Sequence, residues 1–172
     1  LYLLPLWHPV ILAEQIATLA SLSRAPFILQ CGLGDDRQGR AMGIDMKHKV
    51  GRFVSCLEIM RALWQGRSVE ENRFWNIKAE QIAPLPSHEV EVWIGSVVEK
   101  AIKRTAKLGD GWLASPGLTP DQANQAIKEY KSYCDLFDRK PLCAIRRDVY
   151  VGSTSAEAKK VVAPYIDKGY RG

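Results

Sequence analysis

The chain has 172 residues, of which 47% are hydrophobic and 25% charged, a composition typical of a globular domain with its own core. No apolar run approaches the ~18 residues of a membrane-spanning helix, and the first residues lack the basic region and cleavage site of a signal peptide. The net charge of +5 comes from bases at helical spacing with acids between them, which favours a solvated helix face over a nucleic-acid interface.

The cysteines and histidines are scattered along the chain and form neither a C-x-x-C pair nor a cluster of metal ligands. They are Cys31, Cys56, Cys134 and Cys143, with His8, His48 and His88. This spacing predicts buried free thiols and no metal site. Free thiols are typical of the reducing cytoplasm, where we expect the protein to be located.

The first third of the chain alternates strand-like with helix-like runs. Strands are predicted at Leu1–Leu6 and Phe27–Cys31. The first helix begins at Pro9, because proline is favoured in the first turn of a helix, and the second carries an apolar stripe from Val50 to Trp64.

The middle of the chain opens with the segment Arg73–Glu89, which is too long for a simple connection and predicts a short strand pair or an ordered cover. Strands are then predicted at Val90–Ile94 and Trp112–Ser115, joined by a helix over Val97–Leu108.

Two capping boxes mark helix starts in the last third of the chain. One is Thr119-Pro120-Asp121-Gln122, and the other begins at Thr154, with Glu157 three residues on. A strand is predicted between these helices at Cys143–Val151, and Pro164 is expected to end or kink the last helix.

The alternation predicts an α/β fold with about five parallel strands joined by crossover helices. A full (β/α)8 barrel takes roughly 250 residues. We therefore predict one domain over residues 1–172, a partial (β/α)8 TIM barrel that is missing units at both ends. The alternative, a dinucleotide-binding sheet, is disfavoured because Gly32-Leu33-Gly34-Asp35-Asp36-Arg37 has Arg37 where the third glycine of that motif belongs.

Ligands of parallel α/β folds bind where the strands end, so the glycines there are candidate site residues. Gly95-Ser96 follows a strand and precedes a helix, a position at which the backbone amides and the Ser96 hydroxyl can bind an anion. The alternative is that Ser96 only caps the helix. Gly109-Asp110-Gly111 precedes a strand instead, and we expect this turn to be structural.

Other polar residues near the predicted strand ends have two interpretations each. Asp35 and Asp36 are either a carboxylate pair for acid–base work or a solvated loop. His8 is either a proton carrier or a helix-entry residue bonded to backbone. The residues alone name no catalytic group.

Four segments resemble the luciferase-like flavin-dependent monooxygenases and oxidoreductases in order along the chain. They are LLPLWHPVILAEQIATLASLSRAPFILQCGLGDD, HKVGRFVSCLEIMRALWQG, LPSHEVEVWIGSVVEKAIKRTAKLGDGWLASP and RRDVYVGSTSAEAKK. The resemblance implies a barrel, usually a homodimer, that holds FMN or a deazaflavin at the strand ends. It implies a phosphate near Gly95 and Ser96, and a ring system near Gly32 and Leu33 that packs against a strand bulge near Leu3.

The function predicted from this resemblance is oxidation of a small organic substrate with reduced flavin and oxygen, with a flavin reductase as a candidate partner. One alternative is deazaflavin-dependent hydride transfer without oxygen. Further alternatives are a non-catalytic barrel fragment that binds no flavin, and a barrel enzyme of phosphorylated metabolites.

Overall fold

The computed structural model describes residues 1–166. In chain order, the strands are β1 (Tyr2–Leu3), β2 (Phe27–Gly32), β3 (Val69–Glu71), β4 (Ile77–Ala79), β5 (Val90–Ser96), β6 (Gly111–Ala114) and β7 (Cys143–Ile145). The helices are α1 (Pro9–Leu22), α2 (Asp36–Ala41), α3 (Lys49–Trp64), α4 (Glu99–Leu108), α5 (Pro120–Leu136) and α6 (Ser155–Ile166).

Five of the strands form one parallel sheet in the order β1-β2-β5-β6-β7. The order runs in one direction along the chain, as in a barrel, whereas a doubly wound sheet reverses direction at a switch point. The prediction of about five parallel strands with crossover helices is confirmed.

The strand pair β3–β4 is antiparallel and separate from the main sheet. It confirms the predicted interruption of the alternation, but only β4 lies within the expected segment, because β3 ends before Arg73. The tip of this pair packs against the start of α3. The Phe74 ring lies so close to Gly51 that a Cβ there would be 2.5 Å from it.

The predicted first and last strands were wrong in length. β1 stops at Leu3, where a 3-10 turn over Leu4–Leu6 begins, and Pro5 within that turn has no N–H to donate to a neighbouring strand. β7 covers Cys143–Ile145 and does not extend to Val151.

The predicted helix starts were confirmed more closely. Thr119 and Gln122 form the expected capping box at α5. At α6, the Thr154 hydroxyl accepts from the Glu157 N–H as expected, but the Glu157 carboxylate accepts from Ser153. Pro164 was expected to end or kink this helix; α6 continues to Ile166, so the first of these alternatives was wrong.

Helices pack against one face of the sheet and bury it. α1 and α3 cover β2 and β5 through residues such as Ile16, Leu57 and Val92, and α4 and α5 cover β6 around Trp112 and Tyr130. Of the helices described, none is long and apolar enough to cross a membrane.

Candidate active site

A cavity of about 490 Å³ lies where the strands of the main sheet end. Residues from β1, β2, β5 and β6 line it, together with the connections that follow β2, β5 and β6. We call it the carboxyl-edge cavity. Its volume is within the range of about 300–1,000 Å³ that small-molecule sites occupy.

The floor of this cavity is one row of residues on the sheet face opposite the helices. The register places Leu3 beside Gly32, and Gly95 beside Leu113. Since Cys31 pairs with Ile94, Gly32 lies beside Gly95 one residue further on. Two adjacent glycines between two leucines make a shallow apolar shelf that a flat ring system could cover.

Among residues 1–166, no atom packs tightly above these two glycines. A Cβ on Gly95 would have the Cys31 carbonyl oxygen as its nearest neighbour, at 3.6 Å, and a Cβ on Gly32 would lie 3.7 Å from Leu1. Both are ordinary contact distances, so protein packing alone does not require glycine here. The absence of side chains leaves room for a ligand to approach the backbone.

The glycines at the other end of the strands are required by packing. A Cβ on Gly111 would lie 2.5 Å from the Trp93 ring, and one on Gly109 would lie 3.0 Å from the Thr105 carbonyl oxygen. Between them, the Asp110 carboxylate accepts hydrogen bonds from Val92 N–H, Arg61 and Arg139. This geometry fits the structural role that the sequence predicted for the turn.

Ser96 lines the carboxyl-edge cavity, but its hydroxyl is directed toward the helices. The Ser96 and Thr105 hydroxyls are hydrogen-bonded at 3.0 Å, and both residues are buried. Ser96 does not cap α4, whose N-cap residue is Val98 with no side-chain cap. In the first turn of α4 the Ala101 N–H donates to the Val98 carbonyl oxygen at 2.8 Å, so the amides of Glu99 and Lys100 are the ones left for water or a ligand.

Leu33 and Gly34 continue the wall of the cavity beyond β2. Gly34 adopts a φ of 70°, which is readily accessible to glycine, and a Cβ there would lie 3.1 Å from Gln38.

Asp35 and Asp36 are not a facing carboxylate pair. Asp35 caps α2: its carboxylate accepts from the Gln38 N–H, and the Gln38 side chain accepts from the Asp35 N–H. The hydrogen bond from Gln38 lowers the pKa of Asp35 below its ordinary value. Asp36 instead pairs with Lys49 at 3.2 Å. The sequence signal for this cap, Asp-x-x-Gln, was missed.

The histidines lie outside the carboxyl-edge cavity. His8 precedes α1 without capping it, and its ring is edge-on to Trp75 with ring centres 6.2 Å apart. His48 and His88 are exposed. Within residues 1–166, no three His, Cys, Asp or Glu side chains come together as metal ligands.

A second cavity, of about 590 Å³, lies at the amino-terminal edge of the sheet. Its lining includes Arg61, Arg139 and Asp110, whose charges are paired with one another. Although this cavity is larger, parallel barrels bind ligands at the other edge, and we assign the candidate active site there.

The sequence profile described as luciferase-like monooxygenase matches residues 2–171. The chain belongs to the luciferase-like monooxygenase family. The match covers all five parallel strands, including the glycine shelf of the carboxyl-edge cavity.

Two characterised relatives illustrate the range of the family. The chain is 23% identical to the phthiodiolone/phenolphthiodiolone dimycocerosates ketoreductase of Mycobacterium kansasii, over 80% of this chain and 39% of the relative. It is 24% identical to the F420-dependent glucose-6-phosphate dehydrogenase of Beutenbergia cavernae, over 76% of this chain and 43% of the relative. The chain thus spans less than half the length of these relatives.

Solved structures show the same fold. Monooxygenase RslO1 from Streptomyces bottropensis superimposes with a TM-score of 0.85 at 20% identity, covering 99% of this chain and 54% of the other. The oxygenating constituent of 3,6-diketocamphane monooxygenase from Pseudomonas putida, solved in complex with FMN, gives a TM-score of 0.77 at 21% identity. It covers 98% of this chain and 53% of the other.

Proposed function

We propose that this chain forms the cofactor-holding part of an oxidoreductase that binds a phosphate-bearing flavin or deazaflavin in the carboxyl-edge cavity. The observation that carries the proposal is the open glycine shelf of Gly32 and Gly95, next to the uncapped start of α4. A planar ring system needs an open apolar surface, and an anionic group needs free hydrogen-bond donors. The glycine shelf and the start of α4 supply these two features side by side.

Each part of the cavity has a distinct role in this proposal. Gly32 and Gly95 let the ring system approach the backbone, while Leu3, Leu33 and Leu113 exclude water from its faces. The amides that begin α4 bind the phosphate, aided by the helix dipole. The cofactor, when bound, supplies or accepts the electron pair for the reaction.

Ser96 contributes to the proposed phosphate site through its backbone. Its hydroxyl is already engaged with Thr105, and its carbonyl accepts from the Trp112 indole N–H at 3.0 Å. These two bonds fix the end of β5 and so fix where α4 begins. Ser96 remains a predicted site residue. Its hydroxyl positions the start of α4 and does not bind the phosphate directly.

Two chemistries are compatible with this site. The first is oxygen-dependent oxidation of a small organic substrate with reduced FMN, supported by the related monooxygenase solved with FMN. The second is deazaflavin-dependent hydride transfer, supported by relatives named as a ketoreductase and an F420-dependent dehydrogenase. We also propose a cytoplasmic homodimer, with a flavin reductase as partner in the first case.

Direct titration with FMN, riboflavin, coenzyme F420 and a sugar phosphate tests the proposed function. We expect one phosphate-bearing cofactor to bind, and FMN to bind more tightly than riboflavin if the cofactor is a flavin. Binding of the sugar phosphate alone would replace the proposal with a barrel enzyme of phosphorylated metabolites. Binding of none of the four would contradict it.

A further inference from the structure

Arg146 is the one cationic side chain among the described residues that line the carboxyl-edge cavity. The other charged side chain there, Asp35, holds its carboxylate in the cap of α2. The cavity is otherwise lined by apolar, glycine and neutral polar residues. A guanidinium in this setting is the natural counterpart of an anionic group on a ligand.

The strand preceding Arg146 explains why its side chain lies on the cavity side. Cys143 and Ile145 pack against the core formed with α4 and α5, on the helix side of the sheet. Side chains alternate along a strand, so Ala144 faces the other way, and Arg146 follows in the same alternation.

Arg147, the next residue, faces the opposite way and has a different role. Its guanidinium donates to the carbonyl oxygens of Pro116 and Leu118, at 2.8 Å and 2.9 Å. These bonds hold the connection after β6, which carries Ser115 and Pro116 into the cavity wall. Two adjacent arginines are thus divided between shaping the wall and lining the cavity.

The position of Arg146 suits a group bound above β6. Neighbouring strands are about 4.8 Å apart, so β5 and β7 are roughly 10 Å apart on either side of β6. The register places Ala144 beside Leu113, and Arg146 comes two residues later, just beyond the end of β7. A ligand group above the carboxyl end of β6 would therefore lie between the residues that follow β5 and Arg146. Arg146 already interacts with another part of the protein, and the five N–H donors of a guanidinium allow it to bind more than one partner.

We propose that Arg146 binds an oxyanion, a phosphate or carboxylate group, of the ligand in the carboxyl-edge cavity. The inference rests on the proposed function, since it assigns one charged contact within that same site. The oxyanion has two sources, the phosphate of the cofactor or an acidic group of the substrate, and these are separated by experiment.

The test compares Arg146→Gln and Arg146→Lys with a matched control, Lys140→Gln. Lys140 is exposed and precedes β7, so its replacement removes the same charge near the amino end of the same strand. The dissociation constants of FMN, riboflavin and coenzyme F420 are measured by fluorescence titration. Inorganic sulfate, a probe for an acidic substrate group, is titrated calorimetrically into protein with and without cofactor.

We expect Arg146→Gln to weaken binding of the oxyanion about tenfold, Arg146→Lys to weaken it less, and Lys140→Gln to leave it unchanged. Weaker FMN binding with unchanged riboflavin binding would assign Arg146 to the cofactor phosphate. Weaker sulfate binding with unchanged cofactor binding would assign it to the substrate.

Equal effects of Arg146→Gln and Lys140→Gln on every ligand, or no effect of either, would overturn the proposal. Failure of the proposed function gives a different result, in which no flavin or deazaflavin binds the wild-type protein. The sulfate titration of cofactor-free protein still tests Arg146 in that case.

Discussion

Asp110 joins three elements of the structure through one carboxylate. It accepts from the Val92 N–H at 2.9 Å, from Arg61 at 3.0 Å and from Arg139 at 2.7 Å. The carboxylate thereby links β5 to α3 and to the segment after α5 at the amino-terminal edge of the sheet.

Replacing Asp110 with Asn should lower the free energy of unfolding by about 2 kcal/mol, because charge-assisted hydrogen bonds to two arginines are lost. Urea denaturation measures this change. The control is Asp135→Asn, which removes an exposed carboxylate of α5 and should change stability little. Cofactor affinity should be unchanged in both variants. Loss of cofactor binding by a folded Asp110→Asn protein would show that the site lies at the amino-terminal edge and not at the carboxyl edge.

Ser96 is a second residue whose role is set by its partner. Its buried hydroxyl bonds to that of Thr105, so Ser96→Ala leaves the Thr105 hydroxyl without this partner and should cost about 1 kcal/mol of stability. Thr105→Val should cost a similar amount, and the double variant less than the sum. Because the Ser96 hydroxyl acts through Thr105, Thr105→Val should change FMN and riboflavin affinities by as much as Ser96→Ala does. A loss of FMN affinity in Ser96→Ala that Thr105→Val does not share would show that the Ser96 hydroxyl binds phosphate.

Among the elements, α1 begins at Pro9 as predicted, and α5 begins directly after its predicted cap, Thr119. The Thr119 hydroxyl accepts from the Gln122 N–H, and the Gln122 side chain accepts from the Thr119 N–H. Thr119→Ala should therefore lower the free energy of unfolding by about 1 kcal/mol, while Thr119→Ser should preserve it. Thermal unfolding followed by circular dichroism measures both, and equal stability of the two variants would show that the cap contributes nothing.

The ends of the strands show why the local sequence pattern could not predict how long each strand is. Charged residues follow Ile145 before the apolar residues Val149–Val151, and the sequence predicted one strand as far as Val151. A strand needs a neighbour with which to pair, and β6 ends at Ala114, shortly before Pro116, which has no N–H. Arg147 binds the Pro116 carbonyl with its side chain instead. Pairing of this kind depends on distant residues, whereas a capping box is complete within four.

For the whole molecule, the strand order decides where the site lies. The parallel sheet and the choice of edge followed from the sequence, since Gly32 and Gly95 come after strands and Gly111 comes before one. The surroundings of these glycines could not be predicted from the sequence. Gly95 lies under open space and Gly111 lies against the Trp93 ring because of the register between the strands. Arg146 was missed for the same reason, as its strand was predicted to continue past it.

The buried thiols make stability depend on pH. Burial, and then the proximity of Cys56, raise the pKa of Cys31 to about 12, and burial raises the pKa of Cys56 to about 12. A thiol of the unfolded chain ionises near 8.5, so the unfolded state loses its protons first as pH rises. Stability should be at its full value below about pH 8 and should fall as the pH rises toward 12.

The slope of this fall is the measurable quantity, up to ~1.4 kcal/mol per pH unit for each thiol. The Cys31→Ala/Cys56→Ala variant should show a shallower decline in unfolding free energy between pH 9 and 10.5 than the wild type. The reference is Cys143→Ala, which removes a half-buried thiol and should keep the steeper slope. Equal slopes in all three proteins would show that Cys31 and Cys56 do not cause the loss of stability at high pH.

Cofactor affinity in glycine variants tests whether the cofactor binds above Gly32 and Gly95. We measure the dissociation constant of whichever of FMN and coenzyme F420 binds the wild type, together with the melting temperature, for Gly95→Ala, Gly95→Val and Gly111→Ala. A Cβ at Gly95 meets no protein atom closer than 3.6 Å, whereas one at Gly111 would lie 2.5 Å from Trp93. We predict that both Gly95 variants stay folded and lose cofactor affinity, with a larger loss for Val than for Ala that reaches about tenfold or more, while Gly111→Ala loses stability. Wild-type affinity in a folded Gly95→Val protein would contradict it.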